Sequence, residues 1–107
     1  MLSAIGGLNA ASAVLRETLK KYENELTRIG RRLEDGEPAI DASRGTDIPA
    51  QRRQVTEGIE EFEAARHQLR VALLAVGQEE GASFSEVARV LGISRQLAPR
   101  IAAQVER

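Results

Sequence analysis

The chain contains no cysteine and no tryptophan, and of its 107 residues only one is tyrosine, two are phenylalanine and one is histidine. The absence of cysteine excludes disulfides, thiolate metal sites and cysteine nucleophiles. With His67 as the sole histidine, set between Arg66 and Gln68 in a helical stretch, no second imidazole or thiol joins it as base or ligand; it reads as a surface or boundary residue. Glu57, Glu60, Glu61 and Glu63 cluster without a pocket and read as a solvated face, since carboxylates alone specify a metal weakly. No enzyme, cofactor or metal is expected. A strongly basic balance is also missing: fifteen Lys and Arg offset sixteen Asp and Glu, for a net charge of -1. No run is long and apolar enough to span a membrane, so no membrane partner is expected. Residues 1–15 are apolar and carry Ala11, Ser12 and Ala13, superficially a secretory cleavage site, but no basic residues precede them. They read as structure, and a cytoplasmic setting is expected.

What the chain does have is charge and helical periodicity. Few aromatics and many charged residues suit long helices rather than sheets, so the expected fold is all-α. A length of 107 residues allows one compact domain, or a small domain on an arm. Ile5, Leu8, Leu15, Leu19, Tyr22, Leu26, Ile29 and Leu33 recur at helical spacing, alternating four and three from Leu15 onward. That is a heptad seam on a helix about 45 Å long. Gly6, Gly7 and Gly30 weaken it locally. Arg28, Arg31 and Arg32 lie off the seam and read as a charged, solvated face.

Residues 35–48 change character, with two glycines, a proline and several acidic or small polar residues, and predict a connection that only tethers. Asp47 is placed to cap the next helix, with Pro49 in its first turn. That helix is expected from about residue 49 to 80, with Val55, Ile59, Phe62, Ala65 or Arg66, Leu69, Leu73 and Val76 as its seam. Residues 1–80 thus form a long antiparallel, coiled-coil-like hairpin. Among registers shifted by a heptad, one brings Phe62 to Tyr22, Val55 to Ile29, Leu69 to Leu15 and Val76 to Leu8. Arg66 then approaches Thr18 and Glu17, unless Ala65 packs and Arg66 points outward. A two-helix hairpin covers one seam and leaves outer apolar positions wanting a partner, so a homodimer through the long helices is expected. Leu69, Val71, Leu73, Leu74 and Val76 cover more than one face, which places the C-terminal segment against this end.

Residues 81–107 carry the most informative pattern. Ser83 with Glu86 three residues on marks a helix start; Val87, Ala88, Val90 and Leu91 give an apolar face; Gly92 makes a left-handed exit. Ile93 anchors the turn, Ser94 caps a second helix, and Leu97, Ala98, Ile101 and Val105 form its buried face. Ala88, Gly92, Ala98 and Ile101, with Val87 and Leu91 between, resemble the helix-turn-helix of bacterial transcription regulators. The run of residues 91–96, LGISRQ, is similar to the turn and recognition-helix start of small regulators and of the promoter-reading domain of sigma factors. The resemblance covers about a quarter of the chain.

It implies a recognition helix over about residues 95–105 in the major groove of double-stranded DNA, with Ser94, Arg95, Gln96, Pro99 and Arg100 facing the duplex. Arg95 suits a guanine edge and Gln96 an adenine edge. Ser94 and Arg100 suit phosphates. Pro99 predicts a kink or a helix that starts later, because it cannot donate to the carbonyl of Arg95. From residue 82 onward Arg89, Arg95, Arg100 and Arg107 outnumber Glu86 and Glu106. Two functions follow: a sequence-specific DNA-binding regulator acting as a dimer, or a helical adaptor whose helix-turn-helix docks a protein.

Overall fold

The computed structural model describes residues 1–105, the last by its backbone alone. The Val105 side chain, Glu106 and Arg107, to which the sequence assigns a place in a buried face and in the charge of the segment, lie outside the described residues. Among the described residues the chain is all-helical: α1 (Leu2–Glu34), α2 (Ala39–Ser43), α3 (Ile48–Glu79), α4 (Phe84–Leu91) and α5 (Leu97–Val105). It divides into two compact units, one made of Ala11–Phe62 and the other of Met1–Ala10 with Glu63–Arg107.

In the unit Ala11–Phe62, α1 and α3 run antiparallel. Asp47 caps α3 as its sequence position predicts, Oδ1 accepting from the Ala50 N–H at 3.1 Å, with Pro49 in the first turn. The pairing differs from the expected register. Leu15 lies beside Gly58, its Cδ1 3.2 Å from where a glycine Cβ would stand, and not beside Leu69. Tyr22 shares a groove with Gln51 and Val55, and not with Phe62. The shift is about three helical turns, and the connection causes it.

Residues 35–47 are not a plain tether; they fold back along the last turns of α1. The Arg32 guanidinium grips Glu37 with both faces of its fork, Nε to Oε2 at 2.6 Å and Nη2 to Oε1 at 2.9 Å. Its Nη1 donates to the carbonyls of Ala42 and Arg44 at 3.2 and 3.1 Å. One turn earlier, Arg28 Nη2 donates to Glu25 Oε2 at 2.6 Å and to Thr46 Oγ1 at 2.9 Å, while the Thr46 hydroxyl donates to Glu25. These bonds hold the single-turn α2 with Ala42 fully buried. They start α3 beside Glu25 and Arg28 rather than beside the end of α1. Two arginines that read as solvated are therefore the fasteners of the loop.

In the other unit, the first residues of α1 run alongside α3, where Met1, Ser3, Ala4 and Gly7 face Ala65, Val71 and Ala72 across an open groove of small side chains. The helix begins already at Leu2 and continues through Gly6 and Gly7. Ala65 is the packing residue; Arg66 points outward and pairs with Glu63 on its own helix at 2.7 Å. The buried core consists of Leu74 from α3, Val87 and Ala88 from α4, and Ala98, Ile101 and Ala102 from α5, with Val71, Ala82, Leu91, Ile93 and Leu97 packed around it. The two short helices thus sit against the apolar end of α3, where the extra leucines and valines require them.

Candidate functional site

The two short helices are bounded by the residues that the sequence singles out. Ser83 Oγ accepts from the Glu86 N–H at 3.2 Å and starts α4. Gly92 ends it at φ 68°, ψ 29°, a conformation that a Cβ would strain. The N–H groups of Gly92 and Ile93 return to the carbonyls of Arg89 and Ala88 at 3.3 and 3.0 Å, which satisfies the open helix end and turns Ile93 into the core.

Ser94 then caps α5, its Oγ accepting from the Leu97 N–H at 3.2 Å. That bond uses an acceptor lone pair and leaves the O–H free to donate elsewhere. The helix begins at Leu97, two residues later than the sequence suggests, with Arg95 and Gln96 in the turn ahead of it. Pro99 is the reason: without an N–H it cannot close a turn onto Arg95, but in the first turn of α5 that N–H has no helical partner to lose. The proline sets the start of the helix and does not interrupt it.

Burial along α5 is one-sided. Ala98, Ile101 and Ala102 are buried against α4 and α3, while Ser94, Arg95, Gln96, Pro99 and Arg100 are all exposed. Arg95, Gln96 and Pro99 gather with Phe84 and Ser85, from the first turn of α4, around one open hollow. Arg100 lies outside it. Phe84 and Ser85 are the residues that sequence reading misses; the signal was the serine two positions after the cap, which a close approach of the two helix starts brings beside Arg95. The four ion pairs among the described residues are Arg28–Glu25, Arg32–Glu37, Arg44–Asp41 and Arg66–Glu63, so Arg89, Arg95 and Arg100 are exposed and have no carboxylate partner among the described residues.

His67 is structural: its Nε2 lies 2.8 Å from Gln104 Oε1 and ties α3 to α5. A second, apolar hollow lies between α3 and α4, lined by Leu73, Gly77, Ala82, Val87 and Val90, and Val90 is 77% exposed at its rim. Among the described residues no three His, Asp or Glu side chains converge on a point that could hold a metal, and no helix is long and apolar enough to cross a membrane. Compared with known proteins, the chain matches no protein-family model, no curated protein and no solved structure.

Proposed function

We propose that this chain is a sequence-specific DNA-binding regulator of bacterial type, acting in the cytoplasm as a dimer, with α4 and α5 as a helix-turn-helix. The observation that carries the reading is the one-sidedness of α5: its start presents Arg95, Gln96, Pro99 and Arg100 to solvent on a helix whose opposite side is locked into the core. A helix held in this way can enter a major groove without losing its packing. Arg95 and Gln96, in the turn just ahead of α5, stand at the position from which side chains reach base edges. Ser94, Ser85 and Arg100 flank them with donors suited to phosphate oxygens. Two copies would read half-sites about 34 Å apart, or a multiple of that distance.

The test is selection of bound sequences from random duplex DNA at moderate salt. An enriched inverted repeat, with affinity that falls steeply as salt rises, is the expected result. A second reading, a helical adaptor that docks a protein, draws on the exposed Val90 and the apolar hollow beside it. It gains if no sequence is enriched and no salt-sensitive affinity is found.

A further inference from the structure

We infer that the side of α1 bearing Leu19, Leu26 and Leu33 seats a second copy of this chain, the two first helices lying antiparallel about a two-fold axis at Leu26. The inference locates the dimer of the reading above and rests on that part of it, but it involves no DNA.

The unit Ala11–Phe62 lacks a core of its own. No residue of the 33-residue α1 is buried, and Ala42 is the only fully buried apolar side chain of the unit. Leu15 and Tyr22 are half-buried facing α3, whereas Leu19, Leu26 and Leu33, one position round the heptad, remain 36, 48 and 44% exposed. Ile48 and Ile59 of α3 are exposed to a similar degree. In an antiparallel pair of right-handed helices, positions displaced in the same rotational sense from the two contact lines fall on one side of the pair. Leu19 is so displaced from Leu15, and Ile59 from Gly58. Leucines and isoleucines therefore form one apolar strip, about 21 Å long between Leu19 and Leu33 at 1.5 Å per residue.

Surface area and charge identify the occupant. The chain exposes 7712 Å², against about 5,900 Å² for an ordinary folded monomer of its 11.7 kDa. The excess, about 1,800 Å², is more than the roughly 800 Å² that each partner contributes to a stable interface. The strip is also self-complementary. Because the three leucines are evenly spaced by seven, a two-fold axis at Leu26 stacks Leu26 on its own copy and Leu19 on Leu33 at both ends. Lys20 follows Leu19 and Glu34 follows Leu33, so opposite charges meet at each end of the seam. Gly30, with nothing within 4 Å of where its Cβ would stand, leaves the flank open for close approach.

Because the chain has no cysteine, single cysteines report the geometry cleanly. The expected mass in solution at micromolar concentration is twice 11.7 kDa. With a short bismaleimide, Leu26→Cys should link to itself, Leu19→Cys and Leu33→Cys should each fail alone, and a mixture of those two should link. Lys20→Glu should weaken the dimer, and adding Glu34→Lys in the same chain should restore it. Leu26→Glu should give a monomer with unchanged helicity; if that variant does not fold, the cysteine pairs still decide. A monomeric wild-type chain overturns the inference, as does a dimer in which Leu19→Cys links to itself or Leu26→Cys does not. Either result leaves DNA binding to be judged by its own selection experiment.

Discussion

Gly77 of α3 and Val87 of α4 meet so closely that a Cβ on the glycine would lie 2.9 Å from the valine Cγ2. Val87 is buried and its branched side chain has nowhere to swing. Gly77→Ala should therefore destabilise the fold: overpacking costs about 1–3 kcal/mol, against about 1 kcal/mol gained in helix propensity. Gly6→Ala, inside α1 with open space around it, should instead stabilise by about 0.5–1 kcal/mol. Urea unfolding followed by circular dichroism measures both; equal and positive shifts would contradict the close approach of α4 to α3.

The fastening of the loop should depend on pH. Hydrogen bonding from Arg32 holds the Glu37 carboxyl below its ordinary value, against a smaller opposing effect of desolvation, and attraction to the same guanidinium adds to it. A carboxyl lowered in the folded state contributes stability above its unfolded value and loses it as the pH falls through the folded one. The loop should be closed at neutral pH and open in acid, below the usual glutamate range. Protection of the Ala42 and Arg44 amides from exchange, relative to their intrinsic rates at each pH, should fall there. At neutral pH, Glu37→Gln should speed tryptic cleavage after the exposed Arg44, and an unchanged rate would show that the fork does not hold the loop.

Pro99 separates two pictures of α5. Were it inside the helix, replacing it with Ala would add about 3 kcal/mol of stability. In the first turn, Pro99→Ala should change stability by less than about 1 kcal/mol, because the proline costs no hydrogen bond and restricts the unfolded chain. Thermal unfolding distinguishes the two.

Arg95 and Arg100 should differ in kind. Under the DNA-binding reading, Arg95→Ala should relax preference at one base position at a cost of about 1–3 kcal/mol, with helicity unchanged. Arg100→Ala should weaken all sequences alike and reduce the salt slope by about one. The same loss from both variants would remove the distinction between base and phosphate contact.

Much of the fold is legible in the sequence because helix ends carry local chemistry. Ser83, Gly92 and Asp47 act through hydrogen bonds with backbone groups three or four positions away, and each stands where its type requires. The one-sided burial of α5 follows from Leu97, Ala98 and Ile101 in the same way. The register of α1 against α3 is not local. It depends on where residues 35–47 run, and that path is set by Arg28 and Arg32, whose spacing looks the same on a solvated face as on a fastening one. The place of Ser85 beside Arg95 was equally hidden, since it arises only when two helix starts are brought together by a core that neither residue belongs to.

The groove between the first residues of α1 and the small side chains of α3 has a consequence for synthesis. Residues 1–7 leave the ribosome well before the residues facing them, 65–75, which are made about sixty residues later, a wait of about 3 to 12 s at typical translation rates. α4 and α5 complete their core only after that. This early segment is thus among the last to be covered, and until residues 65–75 emerge it lacks the side chains of α3 that it packs against.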